Sequence, residues 1–227
     1  MHTATDPVTV PWSTGFEENF CDYLKVAGYC YGDRPYSVVT EPHRAKGRFV
    51  AEFKAIGDDQ HQTRCVRQGV LPESAFYGAW YYIPEPLKKV KVWNLWHFTG
   101  AQSPNELGAP LWDVTLIAGS QPGTWELLVY DPVARGTYRS REHTLVPFGA
   151  WFHIELFLKR AADTSGKIAL YQDGALLFEQ TNLQSDASKY AQWFVGNFAE
   201  GGIPADSSLY VDDVTISATL SPTSATP

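Results

Sequence analysis

Residues 147–174 read PFGAWFHIELFLKRAADTSGKIALYQDG, and residues 175–178 continue as ALLF. Apolar and polar side chains alternate with a period of two in this stretch, which is typical of β-strands that bury one face. The dipeptide Asp173-Gly174 separates two such runs, and both residue types tolerate the positive φ that a type I′ turn requires. The stretch therefore predicts a β-hairpin that turns at Asp173-Gly174.

The same pattern recurs along the whole chain. About twelve short runs rich in Val, Ile, Phe, Tyr and Trp lie between clusters of Gly, Pro, Asn and Asp, whereas helical periodicity is hard to find. This pattern predicts an all-β protein of two facing sheets. For 227 residues we expect one domain over residues 15–218, an N-terminal extension over residues 1–14, and a Ser/Thr/Pro-rich tail or linker over residues 219–227.

Composition excludes several classes of protein. The chain is 44% hydrophobic and 14% aromatic, which is typical of a folded domain, and its net charge of -7 argues against a nucleic-acid partner. No apolar stretch approaches the ~18 residues of a membrane span. Because linkers like the tail are common in secreted multi-module proteins, we expect a secreted or cell-surface protein that is a monomer or a module of a larger chain.

The three cysteines leave the disulfide pattern open. Cys21 and Cys30 flank a short loop, CDYLKVAGYC, and the spacing allows a disulfide between them. Cys65 lies in a predicted strand, where the expected role is that of a small buried apolar residue.

Four segments together resemble the concanavalin A-like polysaccharide lyases, in particular the heparin-lyase-like group: FYGAWYYIPE (76–85), WNLWHF (93–98), the 147–174 stretch, and LYVDDVTIS (209–217). The resemblance implies a concanavalin A-like jelly-roll β-sandwich of two antiparallel sheets, with a polysaccharide or oligosaccharide held across one curved sheet. Laminin-G-like and lectin-like sandwiches share part of the third segment, so the fold is indicated more specifically than the reaction.

The resemblance also implies catalytic residues for β-elimination from a uronic acid. His97 matches the strand that supplies a His or Gln to the cleft, and a neutral imidazole is suited to abstract the C5 proton. Arg64 and Gln68 on one predicted strand are candidates to neutralise the substrate carboxylate, although the usual Arg-x-Glu pattern of the family is missing there. Tyr81 and Tyr130 are candidates for the acid that protonates the departing O4.

Other residues are candidates for binding the glycan. Simple alternation through residues 93–98 places Trp93 and His97 on one face of the strand and Asn94 and Trp96 on the other, so that one Trp lies on each side. Trp93 is then available to stack on a sugar ring. Asp113, Thr115 and Glu126 are candidates to hydrogen-bond sugar hydroxyls.

A calcium site is predicted where the first and last strands meet. Residues 15–20 and 210–217 resemble the terminal strands of jelly-roll carbohydrate modules, in which acidic side chains hold a structural Ca²⁺. This resemblance implies Glu17, Asp212 and Asp213 as ligands.

Two functions therefore remain open at the level of sequence. The first is a polysaccharide lyase that cleaves a uronic-acid-containing glycan. The alternative is a non-catalytic, lectin-like carbohydrate-binding module, for which Trp93, Trp112, Trp125 and Trp193 are the candidate stacking residues. The paired carboxylates typical of sandwich glycoside hydrolases are not found in the sequence.

Overall fold

The computed structural model describes residues 5–32, 35–42, 47–55, 60–104, 106, 108–203 and 207–221. Within these ranges the chain forms fifteen β-strands and one short helix, α1 (Cys21–Leu24). The strands are β1 (Trp12–Thr14), β2 (Gly28–Gly32), β3 (Tyr36–Val39), β4 (Val50–Ala55), β5 (Gln60–Gly69), β6 (Ser74–Tyr82), β7 (Lys88–Ala101), β8 (Ala109–Ala118), β9 (Trp125–Asp131), β10 (Gly136–Arg139), β11 (Trp151–Lys159), β12 (Gly166–Gln172), β13 (Ala175–Leu183), β14 (Tyr190–Ile203) and β15 (Ser207–Ser217).

These strands form two sheets. The cleft sheet has seven strands in the order β10-β9-β8-β7-β14-β5-β2, and the back sheet has eight, in the order β13-β12-β11-β6-β15-β4-β3 with β1 also paired to β15. Every pairing between named strands is antiparallel. The architecture confirms the predicted jelly-roll sandwich of two antiparallel sheets.

The hairpin that the sequence indicated most clearly is present. Gln172 pairs with Ala175 across the turn, and Asp173 and Gly174 have φ values of 50° and 76°. Because both turn residues adopt positive φ, the two strands continue with their natural right-handed twist.

The core between the sheets is dominated by aromatic rings. Trp96, Trp193 and Tyr77 are essentially inaccessible to solvent, and the Tyr77 ring meets both indoles edge-on. Each fully buried large side chain contributes about 1.5–3 kcal/mol to folding relative to exposure. Tyr77 is on the back sheet and both indoles are on the cleft sheet, so these contacts join the two sheets.

A β-bulge changes the face that the β7 side chains occupy. Asn94 pairs with Thr115 and Trp96 with Val114, so Leu95 is an extra residue relative to β8. The prediction of one Trp on each face is wrong: Trp93 and Trp96 both belong to the core. One inserted residue reverses the alternation, so that Asn94 and His97 share the outer face.

The disulfide joins Cys30 to Cys65, with Cα atoms 4.0 Å apart. The two residues are directly opposed on β2 and β5, strands that are distant in sequence but adjacent in the sheet. The pairing of Cys21 with Cys30 considered above is therefore wrong, as is the reading of Cys65 as an unpaired core residue. Cys21 has a free, exposed thiol.

Strand β1 and the C-terminal end of the described chain both contact the back sheet. Strand β1 pairs with β15, although it lies in the segment predicted as an N-terminal extension. At the other end, the backbone amide and hydroxyl of Ser221 donate to the Glu155 carboxylate. Residues 222–227 of the predicted tail lie outside the described residues. Within the described ranges, no helix has the length and apolar character needed to cross a bilayer.

Candidate functional site

An open cleft of about 520 Å³ lies on the outer face of the cleft sheet. Strands β5, β7, β8, β9 and β14 all contribute side chains to it. The polar residues that line it include Arg64, Asn94, His97, Asp113, Thr115 and Tyr130.

His97, Asp113 and Tyr130 form one row across three neighbouring strands. His97 is directly opposite Asp113, and Asp113 is directly opposite Tyr130, at the strand spacing of about 4.8 Å. His97 Nδ1 lies 2.5 Å from Asp113 Oδ1. An ionised carboxylate only accepts hydrogen bonds, so a neutral imidazole that pairs with it carries its proton on Nδ1 and keeps on Nε2 the lone pair that a general base needs.

Arg64 is linked to Asp113 through Asn94. Its Nη2 donates to Asn94 Oδ1 at 2.7 Å, and Asn94 Nδ2 donates to Asp113 Oδ1 at 2.6 Å. Asp113 therefore accepts from both Asn94 and His97. The result is a continuous hydrogen-bonded network from a guanidinium to an imidazole.

Arg64 crosses strand β14 to reach Asn94 on β7. Gly196 is the residue directly opposite Arg64; its φ is 138°, and a Cβ there would lie 2.5 Å from the Thr63 carbonyl oxygen, so this position of β14 requires glycine. The Arg64 guanidinium packs near the rings of Phe194 and Phe198 on β14, at 5.8 and 4.8 Å from their centroids. Burial lowers the pKa of Arg64, while nearby Tyr31 and Asp113 raise it; the side chain remains cationic at neutral pH.

The structure thus brings together five of the residues that the sequence suggested: Arg64, His97, Asp113, Thr115 and Tyr130 all line the cleft. Each of them is on an outer-face position of a strand of the cleft sheet.

Tyr81 and Trp93 do not reach the cleft, which corrects their predicted roles. Tyr81 is fully buried, its hydroxyl donates to the Leu95 carbonyl at 3.1 Å, and burial raises its pKa. Trp93 is 1% exposed, and its indole N–H donates to Asn197 Oδ1 at 2.9 Å. A side chain enclosed between the sheets has no access to a sugar bound outside them.

Gln68 and Glu126 lie on the cleft sheet but outside the lining of the cleft. Gln68 Oε1 accepts from Gln192 Nε2 at 3.0 Å, one row beyond the row of His97. Glu126 is 3% exposed and accepts from His143 Nδ1 at 3.1 Å. Their side chains are engaged in the sheet, so the structure does not support the predicted contacts with substrate.

Asn94 is the functional residue that sequence reasoning missed. It links Arg64 to Asp113, yet simple alternation assigned it to the face opposite His97. A signal was present in the partner strand, since Gly196 and Asn197 interrupt an otherwise regular strand pattern. An isolated glycine in a strand suggests a bulge, and β14 is bulged there relative to β7.

The predicted calcium ligands are only partly brought together. A Cβ built on Gly15 would lie 3.3 Å from Asp213 Oδ1 and 3.7 Å from Asp212 Oδ1, so both carboxylates border this glycine. Glu17 Oε1 instead accepts from the backbone amides of Arg48 and Phe49. Among the described residues, no group of three His, Cys, Asp or Glu side chains could hold a metal. The calcium site stays a prediction, with Asp212 and Asp213 as the residues that meet.

The fold and the cleft together define a β-sandwich protein with an open cleft across one sheet, and comparison with known proteins gives its family. The family model described as "Polysaccharide lyase" matches residues 12–215. The chain therefore belongs to the polysaccharide lyase family. A comparison with curated protein sequences gives no match.

Solved structures of lyases share the fold. An endo-beta-1,4-glucuronan lyase from the fungus Trichoderma reesei is 18% identical, with a TM-score of 0.63 over 84% of this chain and 90% of that one. A PL-14 alginate lyase from Aplysia kurodai is 15% identical, with a TM-score of 0.61 over 95% of this chain and 100% of that one. A mutant of alginate lyase Aly36B in complex with alginate trisaccharide is 8% identical, with a TM-score of 0.66 over 93% and 95%.

Proposed function

We propose that this protein cleaves a uronic-acid-containing polysaccharide by β-elimination in the cleft described above. The observation that carries the proposal is the row of His97, Asp113 and Tyr130, joined through Asn94 to the buried Arg64. These groups supply a base, an acid and a cation within one cleft.

The chemistry assigns a role to each end of the row. His97 Nε2 takes the proton from C5 of the uronate, and the electrons of the C5–H bond form a C4–C5 double bond. The C4–O4 bond breaks, its electron pair stays on O4, and the Tyr130 hydroxyl donates a proton to that oxygen. The products are a new chain end with a hydroxyl and an unsaturated uronate.

Arg64 and Asn94 serve the substrate carboxylate. Removal of the C5 proton spreads negative charge onto the adjacent carboxylate, so fixed donors near it stabilise the transition state more than the ground state. Arg64 uses one N–H on Asn94 and carries further donors in a rigid plane. Each charge-assisted hydrogen bond is worth about 1.5–3 kcal/mol.

The burial of the tryptophans favours this reaction over a lectin-like role. Of the four candidate stacking residues, Trp93, Trp112 and Trp193 are each no more than 2% exposed. A binder that relies on indole stacking needs those faces in solvent. Seven of the twelve residues that line the cleft carry a polar or ionisable side chain, and these include the groups that acid–base chemistry requires.

We further propose that the substrate is a polyuronate such as glucuronan or alginate, the polymers named for the lyases of similar fold. We also propose an extracellular location. The Cys30–Cys65 disulfide supports it, because disulfides persist in oxidising compartments.

The experiment is incubation of the protein with a panel of uronate polymers, with far-ultraviolet absorbance as the measure of unsaturated product. Wild type should generate absorbance with at least one polymer, and His97→Ala should generate none. His143→Ala is the matched control, because His143 is exposed outside the cleft, and it should keep wild-type activity. If wild type gives no absorbance but is retarded in a glycan-loaded gel, the protein is a binder and the proposed reaction is wrong.

A further inference from the structure

A second row of directly opposed residues crosses the cleft sheet to its edge. Asn94 pairs with Thr115, Thr115 with Leu128, and Leu128 with Arg139. Directly opposed residues of antiparallel strands project from the same face, and Asn94, Thr115 and Leu128 all line the cleft. Arg139 on the edge strand β10 is therefore on the cleft face, one strand beyond the wall of the cleft.

Arg139 is held on this face by its neighbours in β10. The Tyr138 ring projects the other way, where it stacks on Phe178 at a centroid distance of 5.8 Å. Because successive strand residues alternate, Arg139 is directed to the outer side and is exposed.

Among the described residues, the side chain of Arg139 forms no ion pair or hydrogen bond. Arg139 also lines the adjoining groove, together with Glu142 and Glu179, and Glu179 pairs with Lys167 at 2.6 Å. An unpaired cation at the rim of the cleft is suited to a negatively charged ligand, even though the chain as a whole has a net charge of -7.

The spacing indicates which ligand group Arg139 meets. Asn94, where Arg64 is anchored, and Arg139 are separated by three strand spacings, or about 14 Å. This backbone separation exceeds one pyranose ring, so Arg139 lies beside a different sugar from the one whose carboxylate faces Arg64. A polyuronate that crosses the strands presents further carboxylates along its length.

We propose that Arg139 forms a second carboxylate-binding subsite, which engages a uronate of the same polymer chain several units from the scissile bond. This inference rests on the proposed function, since it assumes that the cleft holds a uronate glycan. It implies that the protein prefers long polyuronates to short oligomers, because only a long chain reaches β10.

The test compares Arg139→Gln with Arg48→Gln on the polymer that wild type prefers. Arg48 is the matched control, because it is also an exposed arginine but precedes β4 of the back sheet. Arg139→Gln should raise KM for the long polymer about fivefold, equivalent to the ~1 kcal/mol of an exposed ion pair, and leave kcat unchanged. The difference should shrink at high salt and vanish for oligomers too short to reach β10, and Arg139→Lys should restore part of the affinity.

Retardation in a polymer-loaded gel, measured in parallel, separates the two proposals. If wild type binds but does not cleave, the proposed reaction fails while weaker retardation of Arg139→Gln still supports the subsite. If the two variants behave alike, or if Arg139→Gln matches wild type on the long polymer, the subsite is wrong. If wild type neither binds nor cleaves any polyuronate, both proposals are wrong.

Discussion

Replacement of Asp113 by Asn tests the proposed mechanism most directly. The substitution keeps the size of the side chain but removes the charge that faces His97 Nδ1 at 2.5 Å. In the transition state the imidazole of His97 becomes cationic, so the carboxylate stabilises it most at that moment. The hydrogen bond from Asn94 is also weakened, because Asn94 Nδ2 donates to the same oxygen of Asp113.

The size of the expected fall in kcat follows from the burial of the His97–Asp113 pair. The side chains of His97 and Asp113 are only 15% and 18% exposed, so solvent screens their interaction weakly. Loss of one charge-assisted hydrogen bond of about 1.5–3 kcal/mol corresponds to a fall in kcat of about 10- to 150-fold at about 1.4 kcal/mol per decade. KM should change much less, because Asp113 does not contact the substrate carboxylate in this mechanism.

The assay is the initial rate of far-ultraviolet absorbance for wild type, Asp113→Asn and Asp163→Asn. Asp163 is an exposed carboxylate in the turn between β11 and β12, so its variant controls for a general loss of negative charge. Thermal melting of all three checks the fold. A kcat for Asp113→Asn within twofold of wild type, combined with an inactive His97→Ala, would show that Asp113 does not position the base.

Three further predictions concern the acid, the disulfide and the metal. Tyr130→Phe should lower kcat at least tenfold without a change in melting temperature. Tyr81→Phe should keep kcat but lower the free energy of unfolding in urea by about 1 kcal/mol, because it removes a buried hydrogen bond. The opposite pattern would assign the role of the acid to Tyr81. Reduction of the Cys30–Cys65 disulfide should lower the free energy of unfolding by about 2–4 kcal/mol, and a thiol reagent should label only Cys21 in the native protein, so that any label on Cys30 contradicts the pairing. If calcium binds beside Asp212, a chelator should lower the melting temperature of wild type and have less effect on Asp212→Asn; a wild-type melting temperature that the chelator leaves unchanged would remove the calcium site.

Much of the architecture could be predicted because its determinants are local. Alternation of apolar and polar residues specifies a strand with one buried face, and Asp173-Gly174 specifies the turn that reverses the chain. Both depend only on residues close together in sequence. The placement of Arg64, Asp113 and Tyr130 on outer faces also follows from uninterrupted alternation in their strands.

The arrangement of the site could not be predicted from the sequence, because the bulge in β7 and the disulfide both depend on contacts between distant segments. The bulge at Leu95 reverses the alternation of β7, and it forms where β14 is itself bulged at Gly196, a residue a hundred positions away. That non-local pairing turns Asn94 toward the cleft and Trp93 into the core. The Cys30–Cys65 disulfide likewise depends on which strands become neighbours. Sequence alone determined that this chain forms a sandwich of β-strands with ionisable groups on one face; only strand pairing decided which of those groups meet, because register is set between distant segments rather than within any one of them.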